Sequence, residues 1–494
     1  MVDKESSYDS TALVNRLWSF CTVLRDDGVG TIDYTEQLTY LLFLKMANER
    51  AMRTLNPEQI LPKECSWDLL IDSDGEELEK TYTSMLNNLS KQKGTLGVIF
   101  RKAQNKIQDP AKLKRLIVDL IDKENWSATG VDIKGDAYEG LLAKGAEDVK
   151  SGAGQYFTPR AVISAIVDVM DLSIRDSIHD PACGTGGFLL AAYEKLSKEK
   201  NFTQEERKHL RSGFVSGTEL VDATARLAAM NLLLHGIGAP NDESAIKVGD
   251  SLSSDDGARY SVILANPPFG SKSSVTVVGN DGKISKEEIK ISRDDFWIST
   301  SNKQLNFIQH IKTILNTNGR AAVIVPDSVL SIDGVGETVR RRLMKEFDLH
   351  TILRLPTGIF YKQGVRANVL FFNKKPAAED AWTKKVWIYD LRTNLHFTLK
   401  ENPLKKEDLS DFINSFSFQD ITNRKETERF RAFEYGDILI RENANLDIFW
   451  LRDESIDDAS NLPSPDAIAR EIMENLESAL AEFSAIAEAL DTGK

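Results

Sequence analysis

Asp176-Ser-Ile-His-Asp180 runs straight into the glycine turn Asp180-Pro-Ala-Cys-Gly-Thr-Gly-Gly-Phe188, and that junction sets the architecture of everything after residue 150. The β-rich run ends at Asp180. Gly184, Gly186 and Gly187 then let the backbone turn tightly into a helix and let a ligand approach it closely, because residues without a β-carbon tolerate both. The same unit repeats downstream. β-rich runs occur at Gly213–Gly217, Ser244–Val248, Tyr260–Ala265, Ala321–Val325, Thr351–Leu355 and Ala367–Phe372, with helical intervals at Phe188–Leu196, Val221–Leu234, Lys303–Leu315 and Gly336–Glu346. Strands alternating with helices are the pattern of parallel βαβ units. Seven strands in this arrangement predict an α/β, doubly wound core over residues 141–450, with ligands held at the carboxyl ends of the strands.

Residues 1–140 carry a different period. Leu13, Val14, Leu17, Trp18, Cys21 and Leu24 recur at helical spacing, as do Leu38, Leu41, Leu42 and Met46 after the Gly28-Val-Gly30 break. Asp33 followed by Glu36 predicts a helix start. No cluster of His, Cys or paired carboxylates in this region suits catalysis or a metal, so it is expected to be an all-helical packing and interface domain. At the other end, residues 451–494 hold the linker Leu462-Pro-Ser-Pro-Asp466. An apolar stripe follows through Ile468, Ile472, Leu476, Leu480, Phe483, Ile486 and Leu490, which predicts a helix whose face must be covered by its own domain or by another subunit. Between Gly270 and Thr300 lies a polar stretch in which Asn280-Asp281-Gly282 predicts a hairpin turn. It either folds over a substrate or is a surface excursion.

Composition narrows the function. The chain has 494 residues with 62 basic and 75 acidic side chains, a net charge of −13. Eleven acidic and two basic residues from Asp453 onward give the tail −9, leaving only −4 for the other 452 residues. The tail is either a solvated helix face or a docking segment. Affinity for nucleic acid comes largely from Lys and Arg on phosphates, so the chain alone is expected to bind DNA weakly. Its start lacks the basic and apolar regions of a secretion signal, and no apolar stretch reaches a membrane span. A cytoplasmic location and no membrane contact are expected. Cys21, Cys65 and Cys183 are too few and scattered for a disulfide framework or a zinc site.

Two motifs carry chemistry. The glycine turn departs from the dinucleotide fingerprint G-x-G-x-x-G, and no G-x-x-x-x-G-K-[ST] loop offers a basis for ATP hydrolysis. Glu219 follows the second strand and Asp250 the third. Their carboxylates are placed to accept from ribose hydroxyls and from an adenine amino group, so with Gly184, Thr185 and Gly186 they suggest a site for S-adenosylmethionine. The strand Tyr260–Ala265 ends in Asn266-Pro267-Pro268-Phe269. An exocyclic amine on a base is a poor nucleophile, because its lone pair is delocalised into the ring. Acceptors at the Asn266 side chain and the Pro267 carbonyl can take its two hydrogens and free that pair, while Phe269 offers a face to a base flipped from a duplex. Adenine N6 and cytosine N4 both present such an amine. Cys183, inside the glycine turn, is expected to be structural.

Gly154-Gln-Tyr-Phe-Thr-Pro-Arg160, Asp180–Phe188 and Asn266–Phe269, in that order, together with Phe360-Tyr361 and Gly364–Phe372, resemble the modification (methyltransferase) subunit of type I restriction-modification systems. The resemblance extends over nearly the whole chain. It implies an S-adenosylmethionine-dependent methyltransferase core, methylation of adenine N6 in double-stranded DNA, and work beside a DNA-reading specificity subunit, typically two modification subunits to one, and a restriction subunit. It also implies site roles. Gln155, Tyr156, Phe157, Thr158, Pro159 and Arg160 would border the methionine end of the cofactor, with Thr158 touching its carboxylate. Asp180, Gly184, Thr185, Gly186, Glu219 and Asp250 would hold the rest, and Asn266, Pro267, Pro268 and Phe269 would handle the adenine. The alternatives are a stand-alone DNA, RNA or protein-amide methyltransferase and a non-catalytic scaffold of the same fold.

Overall fold

The computed structural model describes residues 10–25, 29–52, 59–124, 126, 138–145, 157–199, 201–270, 274–278, 284–360, 365–399, 401–416, 421, 423–452 and 473. The seven predicted runs all form strands. They are β1 (Ile178–Asp180), β2 (Val215–Glu219), β3 (Ile246–Val248), β4 (Tyr260–Ala265), β7 (Leu315–Pro326), β8 (Phe347–Arg354) and β9 (Ala367–Lys374). Four strands lie outside that set. β5 (Ser274–Val278) and β6 (Ile284–Glu288) pair antiparallel as a separate two-stranded sheet after the Asn266–Phe269 turn, and β10 (Lys385–Asp390) and β11 (Phe430–Glu434) extend the main sheet. The predicted turn at residues 280–282 falls between β5 and β6 but outside the described residues.

The main sheet therefore has nine strands rather than seven, in the order β11-β10-β8-β9-β7-β4-β1-β2-β3. Lys385-Val-Trp-Ile-Tyr-Asp390 is rich in β-formers, yet no helix separates it from β9, so alternation missed it. The sheet is also not wholly parallel. Residues 355–366 connect β8 to β9 with no helix among the described residues, and β9 returns antiparallel between β7 and β8. A parallel neighbour would have needed a crossover segment, usually a helix. From β7 through β4, β1 and β2 to β3 the strands run parallel, and the inner ones are apolar on both faces. Val262, Ile263, Leu264, Ala322, Val323, Ile324 and Val325 are fully buried. Burial on both faces explains their continuous apolar runs.

The amino-terminal region is helical as expected. Helices Ser10–Arg25, Thr31–Ala51, Trp67–Asp72, Gly75–Leu89 and Gly94–Ile99 are followed by Pro110–Arg115, which runs into a π-helical turn over Leu116–Ile121. The second helix begins two residues before the predicted cap. Gly30 is its N-cap and Asp33 lies in its first turn, where a carboxylate favours the helix dipole. Glu36 is drawn to a tertiary partner instead. It pairs with Arg226 of the helix Asp222–Leu234, whose guanidinium also donates to the Ile99 carbonyl (2.7 Å) and the Arg101 carbonyl and lies 5.1 Å from the Tyr40 ring centre. Thr95 and Leu96 amides donate to the carbonyls of Asp242 and Pro240. These bonds fasten the helical region to the sheet domain as one compact unit, which ends at Ile448.

Among the described residues, Thr393–Leu395 and Phe449–Arg452 belong to a second unit, in which Asn394 Nδ2 donates to the Arg452 carbonyl at 3.1 Å. Apart from Met473, the linker and apolar stripe expected beyond residue 452 lie outside the described residues.

Candidate active site

β1 and β4 are adjacent and parallel, with Ile178 opposite Val262 and His179 opposite Ile263. Strand neighbours lie about 4.8 Å apart, so the turn that leaves β1 and the turn that leaves β4 emerge side by side at one edge of the sheet. β2 and β3 continue that edge, with Glu219 opposite Val248. The two motifs therefore leave the sheet at the same edge.

At the β1 end, Asp180 is buried and accepts the Ala182 amide at 2.9 Å. Burial pushes its carboxyl up to about 8. Gly184 (φ +54°) and Gly186 (φ +84°) adopt the left-handed backbone that favours glycine, and Gly186 is the N-cap of the helix Gly187–Ser197. A β-carbon on Gly184 would meet nothing within 4 Å, so the turn is open on that side. Cys183 sits inward. A β-carbon on Gly217 of β2 would come within 2.9 Å of Cys183 Sγ, and burial raises the thiol well above its ordinary value, which fits a packing role. Asn231 Nδ2 holds the Thr185 carbonyl at 3.1 Å.

Glu219 closes the glycine turn from the next strand. Its Oε2 accepts the Gly184 amide at 3.0 Å and its Oε1 accepts the Val221 amide at 2.9 Å, while burial raises its pKa. Each carboxylate oxygen can still accept a second donor, which suits a pair of ribose hydroxyls. Beside it, Leu220 and Val221 are 65% and 52% exposed, an apolar surface suited to a flat ring. Asp250 is exposed at the same edge. Its Oδ1 accepts the Leu252 amide at 2.9 Å, and Ser251 Oγ ties this loop to the Pro181 carbonyl at 2.6 Å. The open Gly184 face, the Glu219 carboxylate and the apolar pair together fit S-adenosylmethionine.

The segment before the first core helix is divided. Gln155 and Tyr156 lie outside the described residues, and Phe157 is half-buried. Pro159 is the N-cap of the helix Arg160–Val169. Arg160 pairs with Glu139 and lines a groove of about 580 Å³ shared with Lys195, Lys198 and Lys406. Thr158 is buried and turns toward the β4 end, where its Oγ1 accepts from Asn266 Nδ2 at 2.8 Å. The hydroxyl that the resemblance places at a cofactor carboxylate holds the Asn266 amide.

Asn266 itself is buried at the tip of β4. The carbonyls of Pro267 and Pro268 both accept from Gln304 Nε2, the first at 3.4 Å. Phe269 is 7% exposed and packs edge-on against Phe360, with ring centres 5.6 Å apart and planes at 88°. Sequence reasoning passed over Gln304 and the Leu220-Val221 pair. Two apolar residues straight after Glu219, at the β2 tip, were a usable signal, whereas one glutamine at a helix start offers none.

A model described as N-6 DNA methylase matches residues 129–449, and one described as HsdM N-terminal domain matches residues 13–120. The chain belongs to the N-6 DNA methylase family. This N-6 DNA methylase is 37% identical to the StySJI methylase subunit of a type I restriction enzyme from Salmonella typhimurium, over 97% of this chain and 96% of that one. It is 38% identical to the EcoKI methylase subunit from Escherichia coli K12, over 96% and 94%. Among solved structures it is similar to the EcoKI M protein, at 33% identity and a TM-score of 0.53 over 97% of this chain and 96% of that one. A chain from a structure of a type I R-M system aligns at 25% identity with a TM-score of 0.71, covering 98% and 99%. With this membership the chain is an adenine-specific DNA methyltransferase.

Proposed function

We propose that the chain methylates adenine N6 at specific sites in double-stranded DNA, using S-adenosylmethionine, as the modification subunit of a type I restriction-modification complex. The observation that carries this is the Asn266 amide, held by Thr158 at the tip of β4 beside the open glycine turn of β1. Gly184, Thr185 and Gly186 line the donor, supported from below by Asp180. Glu219 takes the ribose hydroxyls, Asp250 the adenine amino group, and residues 155–157 with Pro159 the methionine end, with Arg160 at its margin, while Thr158 serves Asn266. S-adenosylmethionine, when bound, supplies an electrophilic methyl carbon on a sulfonium.

The chain supplies the grip on the nucleophile. The Asn266 side-chain oxygen and the Pro267 carbonyl accept the two hydrogens of the target amine, which turns its lone pair out of conjugation and toward the donor. Pro268 and Phe269 complete the wall against which the flipped base rests. No nucleophilic side chain takes part, and Cys183 is buried in packing.

A specificity subunit reads the DNA sequence in this proposal, and a restriction subunit completes the complex, with two modification subunits per specificity subunit. The net charge of −13 supports dependence on partners for phosphate contacts. Residues 1–140 serve as the helical interface domain, 141–450 as the catalytic core and 451–494 as linker and docking helix. The complex works in the cytoplasm; among the described residues no helix is long and apolar enough to cross a membrane.

The test is to express the chain with its neighbouring-gene products and map modified bases in the cell's DNA. N6-methyladenine at one recurring sequence is expected, lost with Asn266→Ala while S-adenosylmethionine still binds by calorimetry. Methylation at cytosine N4, or a mark that survives Asn266→Ala, overturns the reading.

A further inference from the structure

Two prolines do not by themselves fix the turn that follows β4. A proline ring sets its own φ but leaves ψ, and so the direction of its carbonyl, free. The residue before a proline is restricted in ψ as well, which constrains Asn266 and Pro267. Pro268, followed by Phe269, has no such restraint. Its ψ decides where its own carbonyl points and where the Phe269 ring is carried.

Gln304 meets that carbonyl. Asn302 caps the helix Lys303–Ile314 by accepting the Leu305 amide at 3.2 Å, which fixes Gln304 in the first turn, buried to 2% exposure behind the tetrapeptide. Its Nε2 donates closely to the Pro268 carbonyl and more distantly, at 3.4 Å, to the Pro267 carbonyl. The side-chain amide has one workable orientation here. Both neighbours are acceptors only, so turning it over would set Oε1 against two carbonyl oxygens. Oε1 is consequently left buried and has no hydrogen-bond partner among the described residues. An unsatisfied buried oxygen is destabilising, and a glutamine held this way is placed for the work of its nitrogen.

We propose that Gln304 is a positioning residue for methyl transfer: its Nε2 locks the Pro268 carbonyl and lightly restrains that of Pro267, holding the Pro267 acceptor and the Phe269 ring in register with Asn266. This rests on the methyl-transfer reading of the site. Gln304 touches neither substrate nor cofactor in this role. Its effect passes through the peptide between Pro268 and Phe269.

The test uses the full chain assembled with its specificity subunit and a duplex carrying the mapped site, and compares Gln304→Glu with Gln304→Ala. In Gln304→Glu the ionised carboxylate would oppose two carbonyl oxygens, whereas the protonated acid restores one O–H donor, and its burial raises the pH at which that proton is lost. In Q304E, kcat should be down about tenfold or more near pH 8.5 and recover toward wild type near pH 6, so that the ratio of the two changes with pH. Q304A should lose about tenfold or more in kcat at every pH, with KM for S-adenosylmethionine and for DNA within about threefold of wild type. A pH-independent Q304E ratio, or kcat within about twofold for both variants, overturns the proposal. So does failure of both variants to unfold cooperatively, which would make Gln304 a structural residue. If only Q304A fails to fold, the Q304E pH profile decides. Asn266→Ala in the same assay separates the two readings. Wild type without transfer sinks the proposed function, whereas active wild type, dead N266A and unaffected Gln304 variants sink Gln304 alone.

Discussion

Thr158→Val removes one hydroxyl from the Asn266 amide and leaves shape and burial nearly unchanged. The bond it deletes is 2.8 Å long, between a side chain 8% exposed and one 7% exposed, so water cannot readily replace it. Losing an acceptor from a buried amide costs about 1–3 kcal/mol. If that cost falls on the orientation Asn266 needs when it grips the amine, the barrier rises by the same amount and transfer slows by about 5- to 150-fold. The assay is single-turnover methyl transfer at saturating S-adenosylmethionine with the specificity subunit present, alongside calorimetric titration of the cofactor. Transfer should fall with cofactor affinity unchanged, and Thr158→Ser should restore it. The opposite pattern, weaker cofactor binding with an unaltered saturated rate, would refute the coupling to Asn266 and return Thr158 to the cofactor carboxylate that the family resemblance implied.

Gly184→Ala should lower S-adenosylmethionine affinity about fivefold or more, since the added methyl group would enter the open face of the turn and crowd the cofactor by about 1 kcal/mol or more; unchanged affinity refutes the placing of the cofactor against that face. Arg226→Met should destabilise the chain by about 3–5 kcal/mol in urea unfolding, because Glu36 would lose its buried partner, and adding Glu36→Gln should recover part of that loss. A strictly additive double mutant contradicts the pairing. Asp180 gives a pH test. Its folded-state carboxyl, raised by burial to about 8, keeps a proton that the unfolded chain releases above about pH 4. Its contribution to stability is therefore complete below about pH 4 and is lost as pH rises toward 8. Asp180→Asn should gain stability relative to wild type across that window; a difference that stays flat with pH refutes the buried neutral acid.

Much of the sheet was legible because buried strands announce themselves. Tyr260–Ala265 and Ala321–Val325 are apolar runs, and the four predicted helices between strands appeared within a residue of their sequence-derived limits, whereas Gln204–Ser212 and Asp327–Ser331 were not foreseen. Alternation, however, is a rule about crossover units. It recognised neither β10, which no helix precedes, nor the antiparallel insertion of β9, which depends on how residues 355–366 return across the sheet. The Asp33–Glu36 pattern marked the helix start to within two residues but not the cap itself: a local capping bond competes with a tertiary partner, and Arg226, 190 residues away, takes Glu36.

By itself the sequence determined the chemical types and their order along the chain. Glycines where the backbone must turn left-handed, acids at strand tips and the Asn266–Phe269 tetrapeptide are local facts, fixed by the geometry that each residue type allows. Only the tertiary structure decided which of them meet. That Thr158 holds Asn266 across 108 residues, and that Gln304 reaches the proline carbonyls from a separate helix, follow from adjacent parallel strands ending at one edge. Hydrogen bonds reach about 3 Å whatever the separation along the chain, so folding, not spacing, chooses the partners.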